Sequence, residues 1–299
     1  MEIISGRKLK PFTIVLCGTP GIGKTTFASG APAPIFIGAE NNDELESDRL
    51  PIPKSWDEFL AQIRHVSTQK NRWKTLVVDT VDSVDLLLTK KILDQDKSQS
   101  RSMQKAHGGY GVARDLAQQE MINVRNMLQA IRDEQGMNIL ILAHTSKTNV
   151  EDTVMGMAYS SYELNLHHKV QSVWVDWVAC VLFANFVARR QKDETNRSKI
   201  FAMGDGERVV FTEKRPGHIG KNRYNLPFEM PLDFEFFYQK YLDFYNQKKR
   251  SEEEIRSNIL AMSANIKDPE RKEKVLNSIK SADVKKLEQI EGRLKELSL

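Results

Sequence analysis

Two kinds of apolar pattern alternate along the first two thirds of the chain. Short runs of apolar, mostly β-branched residues predict buried strands, at Phe12–Cys17, Ile35–Ile37, Thr75–Val78, Asn138–Ala143 and Trp177–Phe186. Apolar residues that recur every three or four positions predict helices, beginning at Lys24 and covering Trp56–Val66, Ser83–Leu93 and Val112–Asp133. Strands alternating with helices are typical of a mainly parallel central sheet flanked by helices, so the predicted fold class is α/β.

Two long segments without a clear period interrupt this alternation. We predict loops at Asp94–Gly111 and Thr145–Lys169, and loops of this length in compact domains are usually functional. Farther along, strands at Ile200–Met203 and Val209–Thr212 flank a Gly-Asp-Gly turn, which predicts an antiparallel hairpin. An aromatic stripe at helical spacing from Phe234 to Tyr245 predicts a helix that packs on the core.

The character of the chain changes near Gln247. Aromatic residues are absent beyond it, and apolar residues at helical spacing predict three helices, the second of them starting near Pro269. We therefore predict a core at residues 1–246 and a small C-terminal α-helical appendage at residues 247–299.

Composition narrows the class of protein. A formal net charge of +4 and 40% hydrophobic residues describe an ordinary globular chain, which permits nucleic-acid binding without requiring it. Cys17 and Cys180 lie in apolar runs and cannot form a disulfide framework, which favours a cytoplasmic protein. The longest apolar stretch, Val173–Ala188, contains Asp176 and is too short to span a bilayer, so we expect no membrane partner.

One motif identifies a nucleotide site. The segment Gly18–Thr25 fits the pattern G-x-x-x-x-G-K-[ST]. A predicted strand precedes this segment and a predicted helix follows it, which is the context that the motif requires. Its backbone N–H groups and the helix N-terminus favour phosphate, Lys24 would reach the β- and γ-phosphates, and Thr25 would bind Mg²⁺. The predicted ATP-binding residues are Gly18, Thr19, Pro20, Gly21, Ile22, Gly23, Lys24, Thr25 and Thr26.

Three further polar residues follow predicted strands. Asp79 is expected to organise Mg²⁺ with Thr25, although it could also cap the next helix. Glu40 could activate the attacking water, but its acidic neighbours make a solvated loop the favoured interpretation from position alone. His144 could sense the γ-phosphate or simply be a buried histidine.

Taken together in their order along the chain, these motifs resemble those of the RecA-type ATPases, most closely the short RecA-like single-strand annealing ATPases of bacteriophages. The resemblance covers residues 11–237. The segment ending at Glu40 resembles the strand that ends in the family's catalytic glutamate, and the segment ending at Asp79 resembles its Walker B strand. His144 stands where this family has a γ-phosphate sensor. The resemblance implies a RecA-like P-loop core that uses ATP and Mg²⁺.

The resemblance also implies an assembly. Lys221 and Arg223 are similar to the family segment whose cations act on the ATP of a neighbouring subunit, and a solvated basic turn is the alternative. A homo-oligomer with ATP at its subunit interfaces is therefore expected. The long oligomerisation helix of full-length recombinases has no counterpart before Pro11, which disfavours a stable filament and leaves a ring or a DNA-dependent assembly open.

In the folds that the chain resembles, the two predicted long loops face the central axis. Cations there would follow phosphates, and aromatic rings would stack on unpaired bases. The proposed DNA-binding residues are Lys97, Arg101, Lys105, Tyr110, Lys147 and Lys169. The basic run Arg189–Lys199 is either a third contact or a hairpin tip, and His167 and His168 lack the further partners that a zinc site needs.

Together these features predict a DNA-stimulated ATP hydrolase that binds single-stranded DNA and promotes annealing or strand exchange in phage recombination, in the cytoplasm of the host. One alternative is an ATP-switched helicase loader, and a P-loop small-molecule kinase is another. The C-terminal helices are expected to contact a single-strand-binding or replication protein.

Overall fold

The computed structural model describes residues 8–40, 44–152, 156–187, 189–192, 200–203, 206–246, 252–264, 266, 268–280, 282 and 284–297. The chain divides into two compact units, residues 1–244 and 245–299.

The strands are numbered in chain order. They are β1 Thr13–Gly18, β2 Pro34–Ile37, β3 Asp48–Arg49, β4 Thr75–Val78, β5 Asn138–Asp152, β6 Met157–Leu164, β7 Cys180–Phe186, β8 Arg189–Lys192, β9 Ile200–Met203, β10 Arg208–Phe211, β11 Lys221–Asn222 and β12 Glu229–Pro231. The helices are α1 Lys24–Ser29, α2 Trp56–Thr68, α3 Val81–Asp94, α4 Val112–Gln135, α5 His168–Trp177, α6 Phe234–Asn246, α7 Glu252–Ala264, α8 Pro269–Lys280 and α9 Val284–Leu297. A single 3-10 turn at Ala106–Gly108 precedes α4.

The central sheet is mainly parallel, which confirms the predicted α/β class. Its order is β12-β10-β7-β1-β5-β4-β2-β3, and the pairs from β7 through β3 are all parallel. The strands β10 and β12 extend the β7 edge in the antiparallel sense. Because β5 lies between β1 and β4, the ends of these three strands meet at one edge of the sheet, where open α/β sheets bind ligands.

The sheet is covered by amphipathic helices. On α2, the residues Trp56, Phe59, Ile63 and Val66 are buried at helical spacing, as predicted. Ser55 caps this helix by accepting a hydrogen bond from the Glu58 N–H. The aromatic stripe of α6 also packs in the core, with the Phe237 ring edge-on to Phe12 at 5.4 Å between centroids.

Several sequence predictions were wrong. Residues 145–169 are not a loop, because β5 continues to Asp152 and pairs antiparallel with β6, and α5 begins at His168. Trp177 ends α5 rather than beginning a strand. The expected hairpin between residues 200–203 and 209–212 does not form, since β9 pairs with β8 and β10 pairs with β7.

The C-terminal unit contains α7, α8 and α9, and Pro269 begins α8 at the first helical position, where it is tolerated. Its small core includes Ile255, Ile259 and Leu287, all fully buried. Among the helices of the described residues, none is both long enough and apolar enough to cross a membrane.

Candidate functional site

The phosphate-binding loop joins β1 to α1. Gly23 has a φ of 106°, which favours glycine, and Lys24 begins the helix. The Lys24 side chain is only 6% exposed, and its Nζ donates hydrogen bonds to the carbonyl oxygens of Gly18 at 3.2 Å and Thr19 at 3.1 Å. Burial lowers the pKa of Lys24, and the nearby Asp79 carboxylate opposes this effect. The ammonium is thus folded back across its own loop, over the space where phosphates would lie.

The two predicted metal-binding residues are in contact. Thr25 Oγ1 donates a hydrogen bond to Asp79 Oδ2 at 2.9 Å, and Asp79 is 2% exposed at the end of β4. Thr80, rather than Asp79, caps α3 by accepting from the Ser83 N–H, so the capping alternative for Asp79 was wrong. One hydroxyl and one carboxylate fit Mg²⁺, which retains several waters and is completed by substrate phosphates. No cluster of three His, Cys, Asp or Glu residues suited to a metal occurs in the described ranges.

Glu40 is held in a fixed position beside this pair. Its Oε1 accepts hydrogen bonds from Ser83 Oγ at 2.6 Å and from Thr80 Oγ1 at 3.3 Å, and its N–H donates to the Asp79 carbonyl. Gly38 makes this approach possible, because a Cβ atom there would lie 2.3 Å from the Asp79 carbonyl oxygen and its φ is 130°. The carboxylate is therefore anchored to the first turn of α3 and does not belong to a freely solvated loop.

His144 is tied to α3 by two hydrogen bonds. Asp82 Oδ1 accepts from the His144 N–H at 2.8 Å, and Asp82 Oδ2 pairs with the His144 ring Nδ1 at 2.7 Å. Burial favours a raised pKa for Asp82, but the hydrogen bonds from His144 outweigh it, and the pKa is lowered below 3.8. With Nδ1 occupied, the other ring nitrogen of His144 remains for a ligand.

These side chains meet around one cavity of about 350 Å³. It is lined by Pro20, Gly21, Gly23, Lys24, Thr25, Thr26, Glu40, Asp79, Thr80 and His144. Three predicted ATP-binding residues, Gly18, Thr19 and Ile22, do not line this cavity. The carbonyl oxygens of Gly18 and Thr19 accept hydrogen bonds from Lys24, and the Ile22 side chain is buried. A larger cavity of about 580 Å³ shares Glu40 but lies along β2 and β3, away from the phosphate-binding loop.

The cations Lys221 and Arg223 are not brought to this cavity. Lys221 pairs with Val181 at the start of β7, level with Val15 on β1, which is on the order of 10 Å along the strand from Gly18. The Lys221 Nζ donates to the carbonyl oxygens of Val175 at 2.6 Å and Asp176 at 2.9 Å, which satisfies the C-terminus of α5. Burial is the main cause that lowers the pKa of Lys221, and the nearby positive charge of Arg223 lowers it further. Arg223 is exposed.

The predicted loop before α4 has its own hydrogen-bonded framework. The Asp96 carboxylate accepts from the Ser98 side chain and from the backbone N–H groups of His107 and Ser100, which hold the pKa of Asp96 well below its usual range. The DNA-contact candidates Lys97, Arg101 and Lys105 are exposed around it. Tyr110 is fully exposed at the tip, with a φ of 50°.

The other DNA-contact candidates lie on different elements. Lys147 is exposed on the β5–β6 hairpin, opposite Tyr162. Lys169 lies in the first turn of α5 and forms an ion pair with Asp115 of α4, so part of its charge is neutralised within the fold. In the basic run, residues 189–192 form β8, which pairs antiparallel with β9, and residues 193–199, on which the predicted hairpin tip falls, lie outside the described residues.

The structure adds residues that sequence reasoning missed. Asp82 and Ser83 orient His144 and Glu40, and their only signal was their position just after Asp79. Arg208, at the start of β10, lies against the phosphate-binding loop, because a Cβ atom added to Gly23 would lie 2.6 Å from its Nη1. No sequence signal marks Arg208, since only the antiparallel edge of the sheet brings it there.

A comparison with protein families gives a match that includes the phosphate-binding loop. A family model described as an AAA domain matches residues 10–224, more than two thirds of the chain. No curated protein matches the sequence.

Proposed function

The chain belongs to the AAA domain family, and from that premise we propose that it is a Mg²⁺-dependent ATP hydrolase that binds single-stranded DNA and promotes annealing or strand exchange. The observation that carries the proposal is the single cavity where Lys24, Thr25, Glu40, Asp79 and His144 converge. Family membership supports nucleotide hydrolysis, and the DNA function is our extension of it.

Each residue of the cavity has a distinct role in this proposal. The backbone N–H groups of the loop and the Lys24 ammonium bind the phosphates, and Thr25 with Asp79 would hold Mg²⁺, which supplies charge stabilisation at the β- and γ-oxygens. Glu40 accepts the proton of the attacking water. Ser83 and Thr80 restrict the Glu40 rotamers, so the carboxylate is already oriented before substrate binds.

We further propose that hydrolysis requires a neighbouring subunit. Among the described Lys and Arg residues of one chain, only Lys24 lines the cavity, and Arg208 lies beside Gly23 at its margin. Lys221 and Arg223 lie toward the opposite edge of the sheet. A cation supplied by a neighbour is worth about 10³–10⁵ in rate for known fingers. Arg223, which is exposed, is the better finger, whereas Lys221 would first have to leave the carbonyl oxygens that it caps.

Single-stranded DNA is the proposed activator because exposed cations and one exposed aromatic ring surround the loop before α4. Lys97, Arg101 and Lys105 would follow the phosphates, and Tyr110 presents a free ring face to a base. Stacking on such a ring contributes about 1–3 kcal/mol per base.

The test is the ATPase rate of the full chain across protein concentration, with and without oligodeoxythymidylate. The proposal expects the rate per molecule to rise with concentration and with DNA. Lys24→Ala should abolish turnover, and mixing it with Arg223→Ala should restore activity, because each mixed interface can combine one intact cavity with one intact finger. A DNA-independent rate that is constant on dilution would reject shared sites, and no rescue at any mixing ratio would reject Arg223 as the finger.

The separate C-terminal unit favours a second candidate, an ATP-switched partner protein such as a helicase loader. In that case a chain ending at Asn246 would keep DNA-stimulated hydrolysis yet lose its effect on the partner. An annealing ATPase would keep annealing activity in the same shortened chain.

A further inference from the structure

The C-terminal unit contains a groove between α8 and α9 with a volume of about 240 Å³. Its floor is apolar, formed by Val275, Ile290 and Leu294 at the margin of the unit's core. Its rim is basic, with Arg271 and Lys274 one turn apart on α8 and Arg293 on α9. The groove thus combines an apolar hole with three cations around it.

The basic rim is a local feature. Residues 251–299, which contain the three helices, have ten Lys and Arg and ten Asp and Glu, so this helical segment carries no excess charge, and the excess of three in the unit comes from Lys248, Lys249 and Arg250 before α7. Across the part of the chain that the structure describes, none of the three rim cations has a carboxylate within ion-pair distance. All three side chains are exposed. Three unpaired cations with an apolar floor are complementary to a ligand that carries carboxylates and an apolar group together.

We propose that this groove docks an acidic peptide segment of a partner protein, with one large apolar side chain inserted between α8 and α9. The volume suits one such side chain, and the rim cations would pair with flanking carboxylates. A nucleic acid backbone would use the cations but leave the apolar floor unfilled, and no aromatic ring lines the groove to stack a base. The proposal does not depend on the ATPase function, because none of its residues lies in the nucleotide cavity.

The test uses the full chain and a fluorescent synthetic peptide with four Asp residues followed by a C-terminal Phe. Binding is measured by anisotropy at low and moderate salt. Replacing the Phe with Ser should weaken binding about tenfold or more, because the buried ring supplies most of the apolar contact. Lys274→Glu and Arg293→Glu should each weaken binding roughly 3- to 20-fold, with less effect at higher salt. Lys272→Glu, on α8 but outside the groove, is the matched control and should leave binding unchanged.

Three results would overturn the proposal. The first is no binding of the peptide to the full chain, and the second is equal binding of the Phe and Ser peptides. The third is displacement of the peptide by oligodeoxythymidylate together with weaker DNA binding in Lys274→Glu, which would make the groove a nucleic-acid contact. Lys274 and Arg293 are exposed and Lys272 is half-buried, so circular dichroism of each variant is compared with the parent chain and is expected to match it.

Discussion

Asp82 and Asp85 stand one turn apart on α3, and the structure predicts opposite effects of removing their charges. Asp82 accepts two hydrogen bonds from His144, and its side chain is 10% exposed. The Asp85 Oδ1 is buried and accepts no hydrogen bond from the described residues, and Arg114 contributes only a nearby positive charge. The first carboxylate is therefore needed by the fold in its ionised form, and the second is not.

The magnitudes follow from these contacts. Asparagine offers one acceptor where Asp82 offers two, so Asp82→Asn would leave one His144 N–H facing an amide donor. A hydrogen bond to a charged group contributes about 1.5–3 kcal/mol, and we expect the free energy of unfolding to fall by that amount at pH 7. Burial raises the pKa of Asp85 from 3.8 to about 6, which costs about 1–3 kcal/mol when the group is ionised. Asp85→Asn is therefore expected to raise the free energy of unfolding at pH 7.

The pH dependence separates the two residues further. The pKa of Asp82 is lowered in the folded protein, so its contribution is present above pH 3.8 and is lost as the pH falls toward the folded value. The pKa of Asp85 is raised, so its folded form takes up a proton near pH 6. The advantage of Asp85→Asn should therefore vanish between about pH 6 and pH 4, while the deficit of Asp82→Asn persists there.

Urea unfolding followed by tryptophan fluorescence is a suitable assay, because all four tryptophans lie in the first unit. Wild type and both variants would be compared at pH 7, 5.5 and 4. Asp82→Asn should also lower kcat by releasing His144, whereas Asp85→Asn should not. If both variants shifted stability in the same direction at pH 7, or if the Asp85→Asn difference stayed constant to pH 4, the reasoning would be refuted.

Three further predictions concern the cavity and the loop before α4. Glu40→Gln should bind ATP normally and hydrolyse it about 10²–10⁴-fold more slowly, with Glu46→Gln as the matched control; undiminished turnover would reassign the base. Arg208→Ala should raise the KM for ATP about tenfold with kcat unchanged, and an unaltered KM would show that its guanidinium does not contact nucleotide. Asp96→Ala should speed amide hydrogen exchange over residues 97–107, and unchanged protection there would contradict its role in ordering the loop.

The pattern of apolar residues was sufficient to predict a strand or helix wherever that element has a continuous apolar run or a periodic apolar face of its own. The strands before Gly18 and Asp79 are continuous apolar runs because both faces of a parallel sheet are covered. The helix α2 shows its buried face at helical spacing. Pattern failed at residues 145–169, because only the base of the β5–β6 hairpin, with Ser161 and Leu164, is buried. The rest of the hairpin is largely solvent-accessible, so it has no continuous apolar face to produce a period.

The residues of the candidate site likewise fall into those that the sequence could predict and those that it could not. The phosphate-binding loop is contiguous, so its glycines, Lys24 and Thr25 could be read directly from their spacing. The hydrogen-bond partners of Glu40 and His144 could not be predicted from spacing. Ser83 is 43 positions from Glu40 and Asp82 is 62 positions from His144, so these contacts depend on how β2, β4 and β5 align. The family match agrees with the nucleotide-binding core that the motif predicted, and the roles of Lys221 and Arg223 stay predictions.

The sequence alone determined that this protein is an α/β chain with a phosphate-binding loop, because covalent spacing and apolar periodicity are local properties. Only the tertiary structure decided which side chains line the cavity beside the phosphate-binding loop, that Lys221 caps a helix of its own chain, and that Arg208 lies beside Gly23. Sheet order and register set those distances, and both arise from long-range packing of the whole core rather than from any one segment.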